Sequence, residues 1–313
     1  RGWEFDGTVL VPIATGMTVD APTHGAAHKK HLFFSCGGSV QHSGTGTPYI
    51  WTVITGAAEL GMGDTVTGFK GQPGSETSGA LAIFTRNRLS ILYGTSSSDW
   101  NLVEYREEIG AYAHTIQDVG FTMFLDDRGI SDIQTTQAFG NFADSALSDQ
   151  IKPLVNGLRL LAVASCISRD LSQYRLFFTN KQALYVTVRG KKVVGIMPML
   201  FTDTVRCAWT AEKNDGSEVM FFGSDDGWVF QMERGTSFDG DEIEYFMELA
   251  YNFCKSPRAV KRFRDAMLEI EGTGYAEFNL GYSLGYGSTD LAQPNNQMIA
   301  PSFSEVYWDS FTW

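Results

Sequence analysis

Proline is scarce in this sequence, 9 residues in 313, so no Pro-rich linker divides the chain. Cysteine is scarcer. Cys36, Cys166, Cys207 and Cys254 are spread singly with no CxxC pair, which excludes a dense disulfide framework and predicts reduced core residues. Basic charge is in deficit, 24 Lys and Arg against 36 Asp and Glu, for a formal net charge of -12. A chain of that sign does not grip nucleic acid through its phosphates. It does suit the wall of a conduit through which DNA slides. No run reaches the roughly 18 apolar residues that a membrane-spanning helix needs. The stretch from Leu160 to Cys166 imitates a lipoprotein box, but it lies in mid-chain and reads as a buried strand. The sequence begins at Arg1 rather than methionine, which reads as a processed or partial chain.

Chemical motifs are equally sparse. There is no phosphate-cradling P-loop, and Gly61-Met62-Gly63-Asp64 lacks the strand-turn-helix frame of a dinucleotide site. Five histidines without evident acidic partners leave little for a catalytic triad. His24, His28 and His31 have the i, i+4, i+7 spacing that could present three imidazoles to zinc from one helix face. Pro22 and Gly25 interrupt that segment and no acid orients a ligand, so no metal is expected there. Ser237-Phe238-Asp239-Gly240-Asp241-Glu242 is acidic but lacks the spacing of a calcium loop.

What the chain has is glycine, 33 residues, and a recurring hairpin. The clearest copy is GALAIFTRNRLSILYG at 79–94, two apolar runs around a charged tip at Thr85-Arg86-Asn87-Arg88. It returns at 120–134, 173–188 and 217–232, and a weaker copy opens the series at 31–43. A phenylalanine closes the first run each time: Phe34, Phe84, Phe124, Phe178 and Phe222, at intervals of 50, 40, 54 and 44 residues. A quasi-repeat near about 45 residues with several short strands per unit marks a β-propeller. The expected fold is therefore all-β, a propeller of about five or six blades, each an inner hairpin followed by one or two outer strands. Additional C-terminal β-strands form a smaller, sandwich-like part.

Residues 1–252 are assigned to the propeller and 253–313 to a C-terminal β-rich platform. Loop insertions fall near 40–78, with one strand at Tyr49 to Ile54, and near 136–160, with a short helix closed by Pro153. Met267 to Ile270 and Ala276 to Leu280 read as strands of the platform. Tyr307 to Trp313 form an aromatic end, and Lys255, Arg258, Lys261, Arg262 and Arg264 a solvated basic face.

The paired acids are the best catalytic candidates: Glu107-Glu108, Asp126-Asp127, Asp225-Asp226, and Asp239 with Asp241. Propeller glycosidases point two or three such groups into a central funnel. Here two pairs sit at hairpin tips, where Asp caps the turn's own amides, so they are read as turn chemistry. No catalytic, cofactor-binding or metal-binding residue is assigned, and no enzyme activity is expected.

Leu81 to Leu89, Phe124 to Ile130, Gln173 to Phe178, and the stretch from Gly235-Thr236-Ser237-Phe238-Asp239-Gly240 through Lys255-Ser256-Pro257-Arg258 resemble structural tail proteins of short-tailed bacteriophages. These are the β-propeller hub or nozzle proteins of the distal tail tube. The resemblance covers roughly residues 75–290 and rests on strand-and-turn patterns. It implies a homo-oligomeric ring, usually hexameric, assembled in the host cytoplasm into the virion tail. Such a ring surrounds an axial channel for DNA ejection, docks to an adaptor above and is contacted by tail fibres. No catalytic residue belongs to that pattern. The alternative is a carbohydrate-active propeller, either glycoside hydrolase, depolymerase or lectin.

Overall fold

Short apolar runs separated by Gly, Asp and Asn turns give a succession of antiparallel meanders in the computed structural model. It describes residues 1–72, 79–133, 151–190, 192–253, 262, 274–275, 278–299 and 302–303. An N-terminal hairpin, β1 (Gly2–Phe5) and β2 (Leu10–Ile13), precedes five sheets in chain order. Blade 1 is β3 (His24–His28), β4 (His31–Cys36), β5 (Ser39–His42) and β6 (Ala58–Gly61). Blade 2 is β7 (Val66–Gly71), β8 (Leu81–Thr85), β9 (Arg88–Tyr93) and β10 (Asn101–Glu107). Blade 3 has β11 (Gln117–Asp118), β12 (Thr122–Leu125) and β13 (Ile130–Asp132), and helix α1 (Lys152–Leu158) follows it. Blade 4 is β14 (Ala162–Ser168), β15 (Gln173–Phe178), β16 (Gln182–Arg189) and β17 (Lys192–Leu200). Blade 5 is β18 (Val205–Glu212), β19 (Glu218–Ser224) and β20 (Val229–Gln231). The chain is all-β and these sheets are the blades of a propeller.

The five repeat phenylalanines all fall in the second strand of a blade, on β4, β8, β12, β15 and β19. The hairpin is therefore the middle of the blade rather than its inner edge, because one strand always precedes it. Four apolar clusters fill the four junctions between successive blades. Phe33 and Val40 of blade 1 meet Leu81, Ile83 and Leu92 of blade 2. Phe84 and Leu89 meet Phe124 of blade 3, with the rings of Phe84 and Phe124 5.1 Å apart. Met123 and Ile130 join Val155 of α1 to Tyr174, Leu176 and Phe178 of blade 4. Phe177 and Tyr185 join Phe201, Met220 and Phe222 at the last junction.

Two local expectations change. Tyr49 to Ile54 is not a strand. Trp51 stacks on Phe34 (5.4 Å, 7°) and donates its indole N–H to the Pro48 carbonyl, while a 3-10 turn at Val53–Thr55 closes on Gly56 in the left-handed region. These local bonds leave Val53 and Ile54 in solvent, 84% and 99% exposed. Pro153 does not close a helix but stands in the first turn of α1, where its missing N–H costs nothing.

The chain divides into two compact units, Arg1–Ile243 and Glu244–Trp313. The described strands of the second are β21 (Gly274–Tyr275), β22 (Phe278–Leu280), β23 (Gln297–Ile299) and β24 (Ser302–Phe303), paired β21 with β24 and β22 with β23. The expected strand at Met267 to Ile270 and the aromatic end at Tyr307 to Trp313 lie outside the described residues. Among the described residues no helix is long and apolar enough to cross a membrane.

Candidate functional site

The charged hairpin tips of blades 2 and 3 come together on one edge. Arg86, from the β8–β9 tip, donates from Nη2 to Tyr112 Oη (2.9 Å) and to Asp127 Oδ1 (2.7 Å), and its guanidinium lies 4.2 Å over the Tyr112 ring. Tyr112 Oη also donates to Asp127 (2.7 Å), and Arg159, just after α1, donates to the Asp127 carbonyl. The Arg86 hydrogen bond holds the Asp127 carboxyl below its usual range, while burial pushes the Tyr112 hydroxyl up. Asp127 is thus a fixed anion with both neighbours committed to it.

Its neighbour Asp126 is buried and takes the N–H groups of Arg128 (2.7 Å) and Gly129 (2.8 Å) on Oδ1. Burial raises its pKa, and the turn's amides oppose that rise. This is Asp at the first position of a tight turn, where its side chain replaces a backbone acceptor. The pair supplies one structural cap and one inter-blade tie.

The remaining acids are equally separate. Asp225 is held low by Arg206, which bridges both carboxylate oxygens, while Asp226, Glu107 and Glu108 are exposed. Asp241 forms a backbone bridge with Phe238, and Ser237 Oγ accepts the Gly240 N–H, so 237–242 is a closed turn. Asp64 caps the β8–β9 tip through the Asn87 N–H (2.7 Å). Of the basic cluster, Arg262 is exposed, and Lys255, Arg258, Lys261 and Arg264 lie outside the described residues. Cys36, Cys166 and Cys207 are free thiols, and Cys254 lies outside the described residues.

His24, His28 and His31 are on strands rather than a helix: β3 and β4 turn at Lys29 and Lys30, both at positive φ. Among the described residues no group of three or more His, Cys, Asp or Glu is placed to hold a metal ion.

A buried charge that the sequence reading did not single out is Arg175 on β15, completely enclosed. Its guanidinium lies 4.1 Å over the Tyr185 ring, takes Gln173 Oε1 with Nε (3.1 Å) and Nη2 (2.7 Å), and pairs with Glu233 beyond β20. The one available signal was a cation inside an otherwise apolar strand. Arg175 ties blade 4 to the exit of blade 5.

No protein-family model matches this sequence, and no curated protein matches it either. Solved structures similar in outline include Raptor from Chaetomium thermophilum, at 9% identity and TM-score 0.45, covering 68% of this chain and 20% of that one. Another is BBS1N in complex with ARL6DN, at 12% identity and TM-score 0.42, covering 67% of this chain and 63% of that one. The chain therefore spans less than two thirds of either neighbour's own length.

Proposed function

We propose that this chain is a structural virion protein, a subunit of the hub or nozzle ring of a phage tail that forms part of the DNA ejection channel. The observation that carries this reading is the far face of blade 5. By register, Trp209 lies beside Phe221 on the side of the sheet away from blade 4, and Cys207 beside Gly223 and Val229. Trp209 is 73% and Val229 72% exposed. Faces of this composition are buried at the four junctions, so a fifth one left open suits a neighbouring subunit. A ring forms when such a head-to-tail contact closes by rotation. The net charge of -12 suits a channel that passes DNA without holding it.

Analytical ultracentrifugation and negative-stain microscopy test the reading. Closed rings, six-fold by the resemblance, are expected for the native chain. Trp209→Asp is expected to yield folded monomers with unchanged circular dichroism. A native chain that stays monomeric at tens of micromolar overturns it. Release of reducing ends from host surface polysaccharide, lost in Asp126→Asn or Asp225→Asn, replaces it with the carbohydrate-active alternative.

A further inference from the structure

All five histidines of the chain gather where blade 1 meets its neighbours. The register of β3 to β6 puts His24 beside Ser35 and Val40, Ala26 beside Phe33 and His42, and His28 beside His31. Four imidazoles thus share one face of blade 1, the face whose Phe33 and Val40 pack against blade 2. His28, His31 and His42 surround Trp100, at ring-centroid distances of 6.4, 5.5 and 5.8 Å. His31 and His42 are 4.9 Å apart. His24 lies 5.3 Å from His114, on the segment linking blades 2 and 3.

The hydrogen bonds fix a protonation state. Trp100 Nε1–H donates to His42 Nε2 (3.1 Å), so that nitrogen must carry a lone pair. The other ring nitrogen, Nδ1, then donates to the Ser43 carbonyl (3.1 Å). Only the neutral imidazole satisfies both. His24 Nε2 and His28 Nε2 are buried with no hydrogen-bond partner among the described residues, so a proton on either strands a donor. His31 differs in having a partner at each ring nitrogen, Nδ1 at the Ser43 carbonyl (2.6 Å) and Nε2 at Thr45 Oγ1 (3.2 Å).

Among the described residues no free carboxylate faces these rings to offset a new positive charge. Lys29 is at the β3–β4 turn, and Glu59 of β6 pairs in register with Gln41, on the opposite face from His42. On the blade 2 face turned toward the histidines, Glu104 is already paired with Arg88 (3.1 Å). Asp99, next to Trp100, is saturated by the Thr95 and Ser96 amides. The Trp100 ring can stabilise one imidazolium through its π face, but three imidazoles share that ring.

We propose that acidification releases blade 1 from blade 2, because His24, His28 and His42 on the imidazole-lined face of β3–β6 sit in surroundings that suit only the neutral ring. The titration directions agree. Burial, then Lys29 and His31, push His28 from 6.5 down to about 4. Burial and His114 lower His24. Burial, with help from His31 and against the Ser43 carbonyl, lowers His42. Bases held below their unfolded values contribute stability that is complete above about pH 6.5 and drains away as pH falls toward 4. Blades 2 to 5 contain no histidine in their strands, and His114 lies on the link between blades 2 and 3 against His24, so the effect is centred on blade 1.

Hydrogen exchange on the full chain at pH 7.5 and pH 5.0, corrected for intrinsic rates, tests this. Amides of β3–β6 are expected to lose about tenfold or more protection at pH 5.0 while those of β15 and β16 keep theirs. Unchanged protection in blade 1, or an equal loss in every blade, overturns it. The double variant His28→Gln, His42→Gln is expected to exchange alike at both pH values. If that variant does not fold, imidazole NMR titration of the native chain decides. His28 is expected to stay neutral to below pH 5 and His42 to titrate below the free imidazole, the two together and with loss of the Trp100 indole resonance. Independent titration near 6.5 with that resonance kept overturns the proposal.

Discussion

Arg175 and Glu233 show how unequal the two halves of an ion pair can be. The arginine side chain is fully enclosed, whereas that of Glu233 is 47% exposed. Removing the cation leaves a carboxylate that can rehydrate, while removing the carboxylate leaves a buried cation with only the Gln173 amide oxygen and the Tyr185 ring, and no counter-charge. Arg175→Met is therefore expected to stay within about 1 kcal/mol of the native stability, because the thioether fills the same volume. Glu233→Ala is expected to cost about 2–3 kcal/mol, discounted from the cost of a wholly buried pair for its exposure. Urea unfolding measures both, and the reverse order would refute the account. At this scale the turn acids were legible, because the chemistry of Asp126 with Gly129 is written within four residues. Arg175 was not legible. A cation in a strand reads as solvent-facing until its partner, 58 residues away, is brought to it by the last blade.

Among elements, the second strand of each blade was the readable one, and its double burial explains why. In blades 2, 3 and 4 this strand lies between two neighbours, so LAIF, TMFL and LFF read as continuous apolar runs rather than alternating ones. The same property hid which way each phenylalanine points: Phe84 faces blade 3, while Phe124 and Phe178 face the preceding blade. Phe124→Ala is expected to cost about 3–5 kcal/mol, since the ring is completely buried against Phe84. The connection from blade 2 to blade 3 is tighter still. A Cβ on Gly110 would fall on the Arg86 and Thr85 carbonyls, backbone atoms that cannot turn aside. Gly110→Ala is therefore expected to lower stability by at least about 2 kcal/mol and to loosen the Arg86–Asp127 tie. A melting temperature within a degree or so of the native one would argue against so close an approach. The misread strand at Tyr49 to Ile54 failed for the opposite reason: its apolar residues had the right composition, but Trp51 and Pro48 had already committed the local backbone.

For the molecule as a whole, each apolar cluster joins only blades adjacent in sequence. Stability should then behave as a sum over junctions rather than as one block. A chain ending at residue 203, without blade 5, is expected to retain hydrogen-exchange protection in β8, β9 and β12 and to lose it selectively on the blade 4 face that carried Phe177 and Tyr185. A fragment unprotected throughout would show that the blades fold only together. The repeat made this architecture legible. Its open end was not, because the exposure of Trp209 depends on whether another sheet lies against its face.

That open end has a consequence for biosynthesis. Because each blade docks on the one made just before it, a chain emerging from the ribosome can settle unit by unit without waiting for distant segments. The Trp209 face belongs to the last blade, translated after blades 1 to 4 and their three junctions are complete. Among the five blades the open apolar face is thus completed last, with only the second unit, Glu244–Trp313, still to follow, and on the proposed reading the order of synthesis delays subunit contact until the other four junctions are in place.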